Sequence, residues 1–271
     1  MDTLHEKEQR LRAGLRALER VAVAFSGGTD SALLLFVAHQ ELGDGVVAFT
    51  ALSPAFPRRE REAAEAFCRD RGIRQICFPA PLWDDPALLS NPRERCYLCK
   101  RALLTRLRAL AQAEGCTHLA EGSNVDDLGD FRPGLRAVAE LNVLSPLKEA
   151  GFTKPEVRTL SRKLGLPTWN LPSAACLASR IPWGEPITPE KLSIVEQGED
   201  FLHELGFVQV RLRLHGTLAR LELAPEDFPR LLPLREEVYA RLRALGCTYV
   251  ALDLLGYRTG SLNEGTAGSR Q

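Results

Sequence analysis

The sequence predicts an α/β protein, with a parallel sheet covered by helices on both faces and a smaller α+β domain after it. Three observations predict this. Short apolar runs alternate with helical patterns through the first two thirds of the 271 residues, the order that βαβ units produce. The first run, "VAVAF" at 21–25, is apolar without a break, as suits a strand buried on both sides. After residue 188 the order becomes helix, two strands around a tight turn, and further helices, and a hairpin has no place in a crossover pattern.

In chain order, strands are expected in "VAVAFS" (21–26), "VVAFTAL" (46–52), "QICFPA" (75–80), "THLAEGS" (117–123) and "NVLSPL" (142–147). Helices are expected over about 30–41, 57–72, 95–114 and 153–164. Prolines and small residues then interrupt the pattern through "LPTWNLPSAACLASRIPWGEPITPE". This reads as an ordered linker with a function, because it holds Cys176 and Arg180. A helix over 188–206 leads to "VQVRLRLHG" and "LARLELA", joined at His215-Gly216-Thr217, then to helices between about 225 and 246 and to "YVALDLL". The domains are accordingly placed at 1–170 and 188–264, with the linker at 171–187 and a disordered tail at 265–271.

Composition narrows the class. With 45% apolar and 26% charged residues the chain has the balance of an ordinary globular protein. Its 35 basic and 35 acidic side chains cancel, so it carries no footprint for a nucleic-acid backbone. The charged start, "MDTLHEKEQRLRAGLRALER", lacks the apolar core of a signal peptide, and no apolar run approaches the roughly 18 residues of a membrane span. A cytoplasmic protein with neither a nucleic-acid nor a membrane partner is expected. Seven cysteines, sparsely placed, do not describe a disulfide scaffold. Cys68, Cys77, Cys116 and Cys247 lie in apolar or helical contexts and read as core filler, whereas Cys96, Cys99 and Cys176 sit elsewhere.

The stretch "FSGGTDS" (25–31) joins the first strand to the first buried helix. A strand, a tight glycine turn and a helix N-terminus together present backbone N–H groups to an anion. The lysine of a Walker A loop is absent. Hydroxyls of Ser26, Thr29 and Ser31 would add donors, and Asp30 is left to engage Mg²⁺ carried by a nucleotide. This Ser-Gly-Gly-x-Asp-Ser loop resembles the PP-loop of N-type ATP pyrophosphatases. The resemblance implies an adenine nucleotide alpha hydrolase-like fold, cleavage of ATP to AMP and pyrophosphate, and pyrophosphate held by Ser26, Gly27, Gly28, Asp30 and Ser31.

Further motifs, "NPRERCYLCK" (91–100), "EGSNVDDLGDFRPG" (121–134), "GFTKPEVRTLSRKLGLPTWNLPSAACLASRIPWG" (151–184), "VRLRLHGTLARLEL" (210–223) and "LDLLGYRTGSLNE" (252–264), appear in one order. Over about residues 5–264 the chain resembles the LarE family of ATP-dependent sulfur transferases, which act in biosynthesis of the nickel-pincer nucleotide cofactor of lactate racemase. The resemblance implies that a carboxylate of a pyridinium dicarboxylate mononucleotide is adenylated and then converted by a sulfur donor on the protein to a thiocarboxylate, with loss of AMP and with a sulfide source as partner. It also implies a homo-oligomer, since the family forms hexamers. The same loop occurs in tRNA thiolation enzymes, and an ATP-binding sensor that releases no AMP is the non-catalytic alternative.

Site residues follow from the two readings together. Gly122 ends a strand at the carboxyl edge where open sheets bind ligands, and Asp126, Asp127 and Asp130 are candidates for Mg²⁺ or for positioning ATP, or else a solvated loop that caps a helix. On the 188–206 helix, Glu199 falls on the apolar stripe of Leu192, Val195, Leu202 and Leu205. A carboxylate there must be paired or functional, and it is assigned as an orienter or proton acceptor near Cys176, with a structural ion pair to an arginine as the other reading. The hairpin places Val208, Val210, Leu212 and Leu214 toward the core and Arg211, Arg213, Arg220 and Glu222 on the opposite face. Arg211 and Arg213, with Ser179, Arg180 and Glu222, are assigned to the substrate phosphate; a water-facing sheet surface explains the alternation equally. His215 reads as a turn residue.

For Cys96, Cys99 and Cys176 the resemblance supplies two routes. In one, Cys176 attacks the adenylate and loses its own sulfur. In the other, which is the expectation adopted, all three cysteines hold a [4Fe–4S] cluster whose open iron carries sulfide. The Cys-x-x-Cys spacing allows two thiolates to meet one centre, and zinc, a redox dithiol and an inert pair remain open readings.

Overall fold

The computed structural model describes residues 2–129, 134–172, 176–258 and 261. In chain order the helices are α1 (Leu4–Arg16), α2 (Thr29–Leu42), α3 (Arg58–Asp70), α4 (Pro86–Leu89), α5 (Arg95–Ala113), α6 (Gly134–Glu140), α7 (Pro146–Glu149), α8 (Lys154–Lys163), α9 (Pro189–Glu204), α10 (Phe228–Leu231) and α11 (Arg235–Ala244). The strands are β1 (Val21–Ala24), β2 (Val46–Leu52), β3 (Gln75–Pro79), β4 (His118–Ala120), β5 (Val210–His215), β6 (Leu218–Leu223) and β7 (Tyr249–Leu252). Two compact units result. One holds Met1–Ser53, Arg58–Leu88 and Glu94–Ala174; the other holds Pro54–Pro57, Leu89–Arg93 and Ala175–Gln271.

In the first unit β1 to β4 form a parallel sheet in the order β3-β2-β1-β4. Alternation along the strands sends Val21, Val23, Val46 and Ala48 into one core with Leu33, Leu34, Val37 and Leu160, and Ala22, Val47 and Phe49 into another with Leu104 and Leu107. The sheet is thus covered on both faces, as expected. α2 is buried over most of its circumference, which explains why "ALLLFVA" shows so little polar interruption.

Two parts of this unit differ from expectation. The segment 142–147 forms no strand: Leu144 makes an isolated parallel bridge to Ala120, and Pro146, which cannot donate to a ladder, starts α7. The charged N-terminus, in contrast, is a helix. Thr3 and Glu6 close a capping box, with Thr3 N–H on Glu6 at 2.6 Å and Glu6 N–H on Thr3 Oγ1 at 3.2 Å, and Leu11 and Leu15 anchor α1 in the first core.

In the second unit β5 and β6 form the antiparallel hairpin, with Val210 opposite Leu223 and Arg213 opposite Arg220, and β7 adds in parallel to β6. Thr188 caps α9 through Lys191 N–H, and Leu192, Val195 and Leu202 are buried along it. The short pieces at 54–57 and 89–93 are stitched in by hydrogen bonds. Leu177 N–H donates to the Ala55 carbonyl, Gly184 N–H to the Asn91 carbonyl, and the buried Asn91 side chain to the Ile181 and Pro182 carbonyls. Val208 is exposed rather than facing the core, because β5 begins only at Val210. Among the described residues no helix is long and apolar enough to cross a membrane.

Candidate functional site: an anion loop and a buried arginine network

β1 delivers the chain to Ser26, and Gly27 turns it with φ of 80°, a backbone state that glycine takes without steric cost. The turn is also crowded, since a Cβ on Gly27 would lie 3.1 Å from Ala64 Cβ and 3.2 Å from the Glu60 carbonyl. Gly28 is the N-cap of α2 and has no side chain to accept from the first amides, which leaves the positive helix end without a side-chain cap at this turn. Ser26 and Ser31 hydroxyls lie 3.1 Å apart, and Ser31 Oγ–H donates to the Gly28 carbonyl at 3.1 Å. Thr29, expected to add a donor to the loop, instead donates to the Thr168 carbonyl at 2.8 Å. Gly122 ends β4 against this turn, where a Cβ would come within 2.8 Å of Ser31 N. Only a glycine permits that approach.

Asp30 is not left free. It accepts from Asn124 Nδ2 at 3.0 Å and forms an ion pair with Lys154. The loop therefore does have a lysine, brought from the first position of α8 about 124 residues downstream. Its local signal was the Thr153–Glu156 capping box in "TKPE"; its distance in sequence hid the pairing. Asp126 accepts Lys154 N–H at 2.8 Å and Asp127 accepts Asn124 N–H at 2.9 Å. These two carboxylates shape and cap the chain here, in line with the helix-capping alternative, while Asp130 lies outside the described residues. Beside them Glu121 is buried and accepts from Ser123 N–H, Ser123 Oγ and Ser145 Oγ at 3.1, 2.9 and 2.8 Å. Burial opposes its charge, but Lys100, at 3.4 Å, and these bonds prevail and hold its carboxyl below the usual range.

Most of the polar face of the hairpin is withdrawn from water, with Arg220 partly exposed. Arg211, Arg213 and Glu222 are buried, which removes the reading of a solvated sheet surface. Arg213 Nε and Nη2 donate to Glu222 Oε2 at 3.1 and 3.0 Å, and its Nη1 to the Ser179 carbonyl at 2.9 Å. Ser261 Oγ joins Glu222 at 2.8 Å. Arg220 bridges Glu222, at 3.0 Å, and Asp253, at 2.8 Å, and Arg258 adds to Asp253 at 3.2 Å. Arg211 lies over the Tyr257 ring at 5.3 Å and donates to the Val210 carbonyl.

Glu199 is the partner of Arg180. Arg180 Nε and Nη2 meet its two oxygens at 2.8 Å each, Leu212 N–H donates to Oε1 at 2.9 Å, and each side chain is only 2% exposed. Burial works against the carboxylate, yet Arg180 outweighs it and keeps its pKa below the ordinary value. Both carboxylate oxygens are thus engaged by Arg180 and Leu212 N–H, the arginine ion pair that was the other reading, and through it Glu199 orients Arg180. Arg180 in turn reaches the Cys176 carbonyl at 3.3 Å and Ser179 Oγ at 3.0 Å, so the pair holds the turn that carries Cys176.

Cys96 and Cys99 lie one turn apart on α5, Cys96 exposed and Cys99 half-buried, and Arg95 Nη2 donates to Cys96 Sγ at 3.7 Å. Cys176 is half-buried in the second unit. Among the described residues no three His, Cys, Asp or Glu side chains converge as ligands of a metal ion. Cys68, Cys116 and Cys247 are buried as core filler, but Cys77 is exposed, because β3 is the sheet's edge strand.

No family model matches the chain. It is 42% identical over 263 residues to an uncharacterized protein of Synechocystis, covering 96% of this chain and 98% of that one. It is 36% identical over 265 residues to the pyridinium-3,5-bisthiocarboxylic acid mononucleotide synthase of Lactiplantibacillus plantarum, covering 97% of this chain and 96% of the relative. A more distant likeness, 22% identity over 222 residues, reaches a glutamine-hydrolysing GMP synthase component of Archaeoglobus fulgidus, with 75% and 69% of the two chains covered.

Proposed function

The chain belongs to the LarE family of PP-loop sulfur transferases, and on that premise we propose that it makes a thiocarboxylated pyridinium mononucleotide for nickel-pincer cofactor biosynthesis, with ATP as the activating substrate. The end-to-end likeness to the plantarum synthase carries this reading. A carboxylate oxygen of the substrate attacks the α-phosphorus of ATP, the bond to the bridging oxygen breaks, and pyrophosphate leaves. Adenylation has turned the carboxylate oxygen from a poor leaving group into a good one, and sulfide then adds to the acyl carbon and expels AMP.

The loop geometry supports the first half. The uncapped first amides of α2, with Ser26 and Ser31, suit the charge that builds on departing pyrophosphate. Lys154, held on Asp30 at rest, is the cation within reach of it. Asp30 then has a carboxylate to offer a nucleotide-borne Mg²⁺ once Lys154 turns to phosphate.

For the substrate phosphate, the second unit gathers arginines around the hairpin: Arg211 and Arg213 are buried on one face of β5, and Arg180 reaches Ser179 Oγ. The pKa of Arg211 is lowered by burial first and by the neighbouring Arg180 charge next, with Glu199 compensating in part. Guanidiniums in such a cluster suit a phosphate dianion beside Arg211, whereas Arg213 has its fork on Glu222 and acts by holding the sheet and Ser179.

For sulfur, Cys96 and Cys99, one helical turn apart with an N–H···S donor beside them, have the spacing of two ligands of an iron–sulfur cluster, while among the described residues no third ligand converges with them. Cys96, Cys99 and Cys176 would hold a [4Fe–4S] cluster, whose open iron would supply sulfide when loaded.

The test is anaerobic incubation of the protein with ATP, Mg²⁺, sulfide and pyridinium-3,5-dicarboxylate mononucleotide. AMP, pyrophosphate and a product heavier by the oxygen-to-sulfur exchange are expected. Absence of AMP with the pyridinium substrate, alongside AMP release with tRNA, would replace this reading by tRNA thiolation.

A further inference from the structure

The lysine at the loop is itself held in place. Lys154 is the first residue of α8, so where its ammonium can reach depends on where that helix starts. The start is fixed by Glu156, whose Oε2 accepts Thr153 N–H at 2.8 Å and Thr153 Oγ1 at 2.9 Å. That same carboxylate receives Lys7 Nζ from α1, at 2.8 Å on Oε1 and 2.7 Å on Oε2. The Lys7 side chain is only 14% exposed, so solvent screening of the pair is reduced. Arg10, one helical turn on, donates to the Ala150 carbonyl at 3.0 Å, just before the cap. Leu11 and Leu15, four and eight residues on from Lys7 along the same side of α1, are buried in the core that also takes Val157 and Leu160 of α8.

The rest of α1 behaves differently. Lys163, at the opposite end of α8, meets Glu8 at 3.4 Å but is 62% exposed, a pair of the kind that contributes little. Arg12 clasps Glu8 and Glu41 on the outer surface of α2. Of the described α1 side chains, Lys7 is the one that reaches the capping carboxylate of the first turn of α8, where Asp126 also accepts Lys154 N–H.

We propose that Lys7 is a positioning residue for the phosphate chemistry, acting through the Glu156 cap to set Lys154 against Asp30 and the pyrophosphate loop. This rests on the reading of that loop given above. Glu156 serves the helix cap and the Lys7 pair at once. Without Lys7, it keeps its bonds to Thr153, so α8 survives, but nothing restrains the carboxylate from the α1 side. The first turn then gains freedom and Lys154 spends less time in the productive position. Misplacement of a reacting group by an ångström can cost up to about 100-fold, and a partial loss of restraint costs less.

The test compares Lys7→Met, Lys7→Arg, Lys163→Ala, Lys154→Met and the Lys7→Met/Lys154→Met double variant. Two readouts are used: kcat/KM for ATP from pyrophosphate release, and calorimetric affinity for Mg²⁺-pyrophosphate, which needs no turnover. Lys7→Met should lose about tenfold in both, Lys7→Arg should recover to within about twofold of wild type, and Lys163→Ala should match wild type. In the double variant the Lys7 change should cost nothing beyond Lys154→Met, since it acts only through that residue. Wild-type values for Lys7→Met, or a Lys7 penalty that multiplies on top of Lys154→Met, would overturn the proposal. Should Lys7→Met not fold, Glu156→Gln gives the same comparison, and full activity there is equally fatal. If the wild type binds pyrophosphate but releases none from ATP, the functional reading fails while the calorimetric series still decides the role of Lys7.

Discussion

The Glu199→Gln substitution puts the buried arginine network to its sharpest test. Glu199 accepts two parallel bonds from Arg180 at 2.8 Å and one from Leu212 N–H at 2.9 Å, and the ion pair is 2% exposed on each side. Glutamine keeps the shape and one acceptor oxygen for Leu212, but its amide nitrogen turns donors toward the donors of Arg180. Removing one partner of a buried pair costs about 3–5 kcal/mol, mostly through the uncompensated charge that remains. Because glutamine retains one acceptor, the lower end, about 3 kcal/mol, is expected. For a chain of this size that corresponds to a Tm lower by roughly 6–12 °C. Urea unfolding followed by circular dichroism would measure it, repeated across pH. The native pKa of Glu199 is lowered from 4.5, so the unfolded state takes up its proton first as pH falls. The stability difference between wild type and variant should be full above 4.5 and should shrink as pH drops through the depressed native pKa. An Arg180→Met/Glu199→Met protein should recover much of the loss, since apolar replacement of both partners is often neutral. A loss below about 1 kcal/mol at about pH 7, or a gap undiminished at about pH 3, would refute the account of a charged pair held by burial.

Other expectations are more direct. Asp30→Ala should end AMP release with little effect on folding, because Lys154 and the nucleotide-borne metal lose their shared carboxylate; AMP at wild-type rates would remove the pyrophosphate assignment. Arg211→Ala should raise KM for the mononucleotide and leave ATP binding alone, whereas Arg213→Ala should also destabilise by about 1.5–3 kcal/mol, because Glu222 Oε2 loses the Arg213 fork while Arg220 and Ser261 stay on Oε1; equal effects of the two on stability would undo the distinction between them. Cysteine replacements divide the sulfur routes: if each of Cys96→Ala, Cys99→Ala and Cys176→Ala removes iron and colour after anaerobic reconstitution, the cluster is supported, and full activity of the first two with a dead Cys176→Ala, plus loss of H₂S mass from Cys176 on turnover, selects the sacrificial route.

What the sequence discloses and what it conceals divide along one physical line. Local and periodic features were readable. The parallel strands around "VAVA" and "VVAFTAL" came from unbroken apolar runs, the hairpin from its turn, and the tight turn from β1 into α2 from two glycines between a strand and a helix. The α1 helix was also writable from Thr3 and Glu6, and its charge density masked a narrow apolar stripe through Leu11 and Leu15. The failures are cases where a partner lies far along the chain. "NVLSPL" has the composition of a strand, but Pro146 and the start of α7 leave a single bridge.

The charged residues show the same limit most clearly, and they show why it matters for function. Period-2 alternation in "VRLRLHG" correctly put Arg211 and Arg213 on one face, yet alternation cannot say whether that face meets water or another layer. The answer depends on Ser179, Glu222, Asp253 and Ser261, which lie 9 to 48 residues from Arg213 or Arg220. Lys154 and Asp30 are likewise 124 apart. In each case a lone charge in the sequence resolves into a pair in the fold, and the pair changes the chemistry available. A free Asp30 would read as a metal ligand and nothing else; paired with Lys154, it would, on the proposed function, also be the resting place of a cation that pyrophosphate could draw away. A free Glu199 would be a base; paired with Arg180 it is the brace that holds the turn at Cys176 while leaving that thiol half-exposed. The residue types named a chemistry of phosphate and sulfur, and the long-range pairing decides which of them react and which hold the others still.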